Sequence, residues 1–391
     1  MTRPPLFDRA GLRFVASLLL FASISALVSG CTPGRARPSP KIDRALWVKR
    51  WDFLTEEQVR TAITRAAESG FDTVFFQVRG NGTVFYRSQI EPWAEEFGHR
   101  DPGFDPLAVA CEEAALRGIA LHAWVNALPG WRGPEPPPAE LGQLYTEHPE
   151  WFLYDENLER QPLHAEYVQL NPCALDARAH IVSVIEEIVT GYDVAGIHLD
   201  YIRFMGDYSP TGKNYPQDPE SLRAYEAAEG KRPSDDPARF DRWRTGCVTT
   251  LVEEIRAAML TLDRRAILTA AVYRTPKAGL DTQQNWVRWV KEGTVDAVVP
   301  MIYTDSLEAF ERDLLACSAA VSSNALIAGI GVYKQTDPTQ FKRMMRIAPR
   351  CGASGVALFD YASFFDPETP CPRPRTLTEL REARREQLLG R

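Results

Sequence analysis

From residue 45 onward, apolar runs of strand length alternate with stretches whose apolar positions recur every three to four residues. That alternation builds a parallel sheet covered by helices. The runs ALWVKRWDF (45–53), FDTVFFQV (71–78), IALHAWVNA (119–127) and VAGIHLDYIRF (194–204) predict four strands. ILTAAVYR (267–274), VDAVVPMIY (295–303), ALIAGIGVY (325–333) and GVALFDYAS (355–363) predict four more. Between them, Thr55 caps a helix that runs to Ser69 and stops at Gly70, and Asp105 or Pro106 opens one that ends at Gly118. Further helices are predicted over about 176–190, 239–262, 281–292, 306–321 and 338–348, with a terminal one over 376–391. In the terminal helix Leu377, Leu380 and Leu388 form a weak apolar stripe, and its basic residues read as a solvated face. Eight strand–helix units predict an α/β fold, a closed (β/α)8 TIM-type barrel over residues 44–365, with 366–391 as a helical extension. A doubly wound sheet would have fewer strands and a glycine-rich phosphate loop. Neither a G-x-G-x-x-G nor a Walker sequence is present.

The connections after predicted strands two, three and four are long, about 80–104, 127–175 and 205–238. All three leave the C-terminal face, where barrel enzymes keep their sites. They carry Phe85, Tyr86, Trp93, Trp131, Tyr145, Trp151, Phe152, Tyr154 and Tyr208. Such rings either stack on sugars in a glycan cleft or form small cores that hold the loops together.

Strands buried on both faces should be continuously apolar, yet these turn polar near their C-terminal ends. Strand one ends in Arg50 and Asp52, and strand two in Gln77 and Arg79. By the period of two, strand three places His122, Trp124 and Asn126 on one face, and strand four places His198 and Asp200, followed by Tyr201 and Arg203. Strand six ends in Tyr303 with Asp305 just beyond, and strand eight carries Asp360. Polar groups gathered at one rim cost desolvation unless paired, so they mark a candidate site. Each has a structural alternative. The arginines could pair with acids around the barrel mouth, the histidines could be satisfied in the core, and Asp52 or Asp305 could cap a helix. Asp200 has no helix start nearby to cap.

The first 30 residues stand apart. Arg3, Arg9 and Arg13 precede an apolar run from Phe14 to Val28, which suits a signal peptide and is short of the roughly 20 residues of a membrane-spanning helix. Val28-Ser29-Gly30-Cys31 reads as a lipoprotein processing site with Cys31 as the lipidated N-terminus, and residues 31–43 as a tether rich in Pro, Arg and Ser. Thr32 after the cysteine, in place of Asp, points to the outer membrane of a host that has one. The chain is therefore expected to be exported and lipid-anchored to the cell envelope. Its formal net charge of −7 becomes more negative once residues 1–30 are removed, and no basic stripe remains for nucleic acid. None of the cysteines after Cys31 has the C-x-x-C spacing of a zinc or thioredoxin-like site. An oxidising compartment permits disulfides; Cys351 with Cys371 is one pairing, and buried free thiols are the alternative.

Several segments in order resemble the glycosyl-hydrolase-like 10 family, made largely of bacterial lipoproteins: LWVKRWDF, GFDTVFFQVRGNG with FYRSQIEPWAEE, DPLAVACEEAALRGIALHAWVN, HPEW, LNPCALDARAHI, YDVAGIHLDYIRF and VDAVVPMIY. They span about residues 45–304, with a departure at Met205-Gly206, where relatives often have Pro-Gly. The resemblance implies a TIM-type barrel and a glycoside hydrolase role, with cell-wall glycan such as peptidoglycan as the substrate class.

Glycoside hydrolases use two carboxyl groups that flank the scissile bond. Asp200 is the expected nucleophile or base. Related barrel glycosidases pair a strand-four acid with one after strand six, which implies Asp305, with Asp360 and Asp52 in reserve. Arg79, Asn126, Tyr201, Arg203 and Tyr303, with His122, Trp124 and His198, are expected to bind substrate. This mechanism calls for no cofactor and no metal. A chitinase-like D-x-x-D-x-D-x-E run is absent. Two rivals stand beside it. One is a metal-dependent deacetylase with His122, His198 and Asp200 as ligands, although the paired H-x-H of such barrels is missing from strand one. The other is a glycan-binding lipoprotein without catalysis.

Overall fold

Eight parallel strands close into a barrel in the order β1-β2-β3-β6-β7-β8-β9-β10, with β10 pairing back to β1. They are β1 (Arg44–Val48), β2 (Thr73–Arg79), β3 (Ala120–Asn126), β6 (Gly196–Asp200), β7 (Ile267–Val272), β8 (Ala297–Ile302), β9 (Ile327–Gly331) and β10 (Gly355–Phe359). The structure is a computed structural model that describes residues 41–204, 214–262, 265–365 and 378–389. The N-terminal segment with Cys31, and also Tyr208 and Cys371, lie outside the described residues. The helices are α1 (Glu56–Glu68), α2 (Pro106–Arg117), α3 (Leu144–Glu147), α4 (Leu175–Gly191), α5 (Pro219–Glu229) and α6 (Pro237–Leu262). After them come α7 (Pro276–Leu280), α8 (Trp286–Lys291), α9 (Leu307–Ser318), α10 (Gln340–Ile347) and α11 (Thr378–Leu389).

The expected barrel is thus present, and local chemistry explains its joints. Thr55 accepts from Gln58 N at 3.2 Å while the Gln58 side chain accepts from Thr55 N at 3.1 Å, a capping box that starts α1. Asp105 caps α2 with Pro106 in its first turn, and Gly118 ends it at φ 66. Of the helix expected over 281–292 only α8 forms, started by Asn285, which accepts from Arg288 N at 3.3 Å, while α7 ends just before that range.

The period of two sorts every barrel strand. Trp47, Phe75, Trp124, Val299 and Phe359 belong to a core inside the barrel. Leu46, Val74, Phe76, Leu121 and Leu358 pack in the separate layer under the helices. Gly196 lets His122 and β7 approach β6 closely: a Cβ there would lie 2.6 Å from the Ile267 carbonyl oxygen and 2.9 Å from His122.

The connection after β3 holds an unforeseen antiparallel hairpin of β4 (Pro129–Gly133) and β5 (His164–Gln169), in which Arg132 pairs with Tyr167. β4 reads PGWRG, whose proline and two glycines hide it from strand propensity. Four of the loop aromatics take the second of their two alternatives. Phe85, Tyr86, Tyr145 and Phe152 are buried in loop cores, Phe85 against Phe53 and Phe97, and Tyr145 against Phe152 at 5.2 Å.

The terminal helix does not present a purely solvated basic face. Arg381 and Arg384 of α11 are buried. Arg381 donates to the Ala362 carbonyl at 2.8 Å, and Arg384 donates to those of Ser363, Val332 and Gln335 at 3.2, 2.9 and 2.5 Å. These carbonyls follow β9 and β10, so α11 braces two loops of the C-terminal face. Each buried carbonyl left without a donor costs about 1–3 kcal/mol. Ending the chain at residue 365 should therefore cost at least about 3 kcal/mol in urea unfolding; an unchanged midpoint would show that α11 is dispensable.

Candidate active site

At the C-terminal ends of the strands the barrel interior opens into a cavity of about 240 Å³. Strand residues form its floor: Trp47, Gln77, Trp124, Asn126, Asp200 and Phe359. Lys49, Trp51, Tyr201, Arg203, Met301 and Tyr303 build its sides, and the β4–β5 hairpin adds Arg132, Glu166 and Tyr167. Asp200 and Glu166 are the carboxyl groups in this wall.

Asp200 ends β6 and lies beside Asn126 in the β3–β6 register. Its Oδ1 accepts from Tyr201 N at 2.7 Å and from Arg203 Nη1 at 3.1 Å. Its Oδ2 has no hydrogen bond among the described residues. Tyr201 holds φ 50, the left-handed region that is uncommon for a residue with a side chain. This bend turns the chain sharply after Asp200 and brings Arg203 back onto it. The guanidinium of Arg203 also lies 4.5 Å from the Tyr201 ring and 4.9 Å from that of Tyr273. Two more polar atoms in the wall are buried without a partner among the described residues, Trp124 Nε1 and Asn126 Oδ1. A donor, an acceptor and a carboxylate thus belong to side chains that line one cavity.

Other expected site residues lie elsewhere. Arg79 is fully buried and does not line the cavity. It binds Glu91 in bidentate fashion at 2.7 and 2.8 Å and donates to the carbonyls of Asn126, Ala127 and Pro129. A register shift between Gln77 and Arg79 carries it away from the inward face. His122 and His198 sit beneath the cavity as core residues. His198 accepts from Trp47 Nε1 at 3.0 Å, pairs with Thr269 Oγ1 at 2.9 Å and stacks on Phe75 at 3.8 Å. Burial pushes His198 well below the usual histidine range and His122 down to about 4. With both His198 nitrogens engaged, the ligand set of the metal-dependent rival is not assembled.

Asp52 and Asp360 are buried behind Lys49 instead of facing the cavity. Lys49 Nζ lies 2.5 Å from Asp360 and 3.9 Å from Asp52. Burial pushes the Asp52 carboxyl up to about 7; Lys49 pulls the other way and Asp360 adds to the rise. Asp305 is exposed and outside the cavity wall. β8 ends at Ile302, and the turn that follows breaks the alternation that had aimed Tyr303 inward. Ser306, not Asp305, caps α9.

Lys49, Trp47 and Trp51 were legible in principle. They share parity in WVKRW, and Trp47 is inward, so Lys49 and Trp51 follow. Arg50, Asp52 and Asp360 have the opposite parity to their inward neighbours. Glu166, Tyr167 and Arg132 depend on the hairpin and had no comparable signal.

The sequence model of the family described as Glycosyl hydrolase-like 10 matches residues 43–343. The chain belongs to the glycosyl hydrolase-like 10 family. It is 27% identical over 265 residues to glycosyl hydrolase YngK of Bacillus subtilis, covering 60% of this chain and 46% of that protein. It is 26% identical over 304 residues to glycosyl hydrolase DigH of Escherichia coli K12, covering 70% and 65%. The chain thus spans about half to two thirds of the length of these relatives. Among solved structures, the glycoside hydrolase domain of PgaB (BpsB) from Bordetella bronchiseptica superposes with a TM-score of 0.64 at 16% identity, over 89% of this chain and 99% of that one. An α-L-fucosidase from Paenibacillus thiaminolyticus gives 0.60 at 11%, over 90% and 49%. These likenesses show the fold: this member of the family is a TIM barrel like theirs.

The Arg79–Glu91 pair gives a pH test of the scaffold under this family site. Burial alone would raise the Glu91 carboxyl, but Arg79 and His180 hold it down to about 2. A carboxylate depressed on folding stabilises the fold above its unfolded value and loses that contribution as pH falls through the folded one. Glu91→Gln should therefore cost about 3 kcal/mol at neutral pH, and the gap to wild type should close between about pH 4.5 and 2. A gap that stays constant across that range in denaturant titrations would contradict the ion pair.

Proposed function

We propose that the protein is a glycoside hydrolase of the cell envelope that cleaves glycosidic bonds in a polysaccharide such as the glycan strands of peptidoglycan. One observation carries this: Asp200 lines the cavity with one oxygen clamped by Arg203 and the Tyr201 amide, beside Trp124 and Asn126, whose Nε1 and Oδ1 have no partner among the described residues. Sugars offer hydroxyls that both donate and accept, and ring faces that lie against Trp and Tyr, so a glycan suits this wall. Family membership points the same way.

In the mechanism we propose, Asp200 acts as nucleophile or base, because its clamped position orients one free oxygen toward the reacting carbon. The second carboxyl protonates the leaving oxygen. We assign it to Glu166, an exposed residue of β5 that lines the same cavity. Asp305 is the alternative donor. Asn126, Trp124, Tyr201 and Tyr303 hold the sugar, while Arg203 positions Asp200. We further propose that Cys31 carries a lipid that tethers the barrel to a membrane. No helix among the described residues is long and apolar enough to cross one.

Purified sacculi and their isolated glycan strands should yield soluble sugar fragments, identified by mass spectrometry. Asp200→Asn should lower the rate of release roughly a hundredfold or more while the protein still folds and binds glycan. Glu166→Gln should match it if Glu166 is the donor; a silent Glu166→Gln with an inactive Asp305→Asn would transfer that role to Asp305. A folded Asp200→Asn protein with near-normal turnover would end the proposal. Binding without fragments from the wild-type protein would favour the non-catalytic rival. The anchor has its own check: Cys31→Ala should abolish palmitate labelling and leave unprocessed precursor or released protein, and unchanged labelling would refute it.

A further inference from the structure

Two cysteines meet outside the active site. Cys173 lies between β5 and α4 and is buried, while Cys247 lies within α6 and is half-buried. The Cys247 thiol is close enough to that of Cys173 to bear on its ionisation. Both line one surface cavity of about 640 Å³, together with Arg178, Arg239 and Trp243. The surrounding frame fixes this meeting. Arg178 of α4 binds Glu254 of α6 at 2.9 Å and donates to the Pro172 carbonyl, one residue before Cys173, at 3.0 Å. A single arginine therefore holds the backbone beside one thiol and the helix that carries the other. By contrast, Cys317 donates its thiol to the Arg274 carbonyl at 3.2 Å.

We propose that Cys173 and Cys247 are a disulfide-forming pair, oxidised by a small-molecule or protein disulfide, and that the bridge staples the base of the β4–β5 hairpin to α6. The route follows exposure. Cys247 is reachable from the cavity, so its thiolate attacks the oxidant's disulfide and releases one thiolate. The sulfur of Cys173, having lost its proton, then attacks the Cys247 sulfur of the mixed disulfide and expels the second thiolate. Two protein thiols are oxidised, and one disulfide is reduced to two thiols. Burial pushes the Cys173 thiol well up, which suits it to the second step and not the first.

The bridge would act on the site wall. Gln169, the last residue of β5, donates to the Arg203 carbonyl at 2.9 Å, and Asn171, just after it, donates to Asp218 and Ser221 at 3.0 and 2.9 Å. Closing Cys173 onto α6 would fix the strand that presents Glu166 and Tyr167 to the cavity. The inference rests on the position of the two thiols and is independent of the glycosidase reading.

The full chain, purified reduced, is incubated with oxidised glutathione near pH 8, where thiolates form. It is then unfolded without reductant, alkylated with iodoacetamide and digested. The expected result is a Cys173 peptide joined to a Cys247 peptide, two hydrogens lighter than their sum and separated by dithiothreitol. The oxidised protein should also lose several degrees of thermal midpoint on reduction, and a Cys247→Ser variant should show no such redox shift. Full alkylation of both cysteines in the oxidised sample, a stable glutathione adduct on Cys247 alone, or bridges to other cysteines would each overturn the pairing.

Discussion

Closure of the sheet, β10 onto β1, is the constraint from which the site follows. In a closed parallel barrel every second side chain must share one narrow interior, and the helices fill the other side. Below, that interior is packed: Trp47, Phe75, His122 and His198 stack and interlock around small residues such as Gly196. Above, the same inward rows continue as Lys49, Gln77, Asn126 and Asp200, and the packing gives way to a cavity. A buried polar atom with no partner costs about 1–3 kcal/mol. Trp124 Nε1 and Asn126 Oδ1 both carry that cost at the floor of the cavity, a penalty that a hydrogen-bonding ligand would remove.

Buried arginines turn this open end into a rigid rim. Arg79 fixes the exit of β3 through three carbonyls and Glu91, Arg203 holds Asp200, and Arg384 gathers the loops after β9 and β10. A guanidinium offers five donors in a fixed fork, so one side chain can hold several segments at once. Lys49 does a smaller version of this, joining Asp360 of β10's exit to the end of β1 while presenting itself to the cavity. Loops braced this way keep the Asp200 carboxyl and its neighbours in place before a ligand arrives.

Much of this was legible in the sequence. Long apolar runs separated by capped helices gave the eight barrel strands, and parity gave Asp200, Asn126 and Trp124. Parity fails where the strand does. The register shift at Gln77 and the turn after Ile302 displaced Arg79 and Asp305 from the rows on which they were counted. It was also misapplied in β1, where Lys49 and Trp51 follow the inward Trp47 while Arg50 and Asp52 do not. Strand β4, and with it the hairpin that carries Glu166, was hidden because a short strand with glycine and proline is held by its partner, not by its own propensity. The burial of Arg381 and Arg384 was equally invisible, since nothing local distinguishes a charge that will meet carbonyls from one that will meet water.

The central claim is that the Asp200 cavity is the place where a glycan is held for cleavage. The most direct measurement is a crystal structure of the Asp200→Asn variant with an oligosaccharide from its polymer bound. The account predicts a sugar ring in the cavity, with a hydroxyl hydrogen-bonded to Asn126 Oδ1, another group accepting from Trp124 Nε1, and the glycosidic oxygen between residue 200 and a second carboxyl. An oligosaccharide bound elsewhere on the C-terminal face, with the cavity floor untouched, would contradict it.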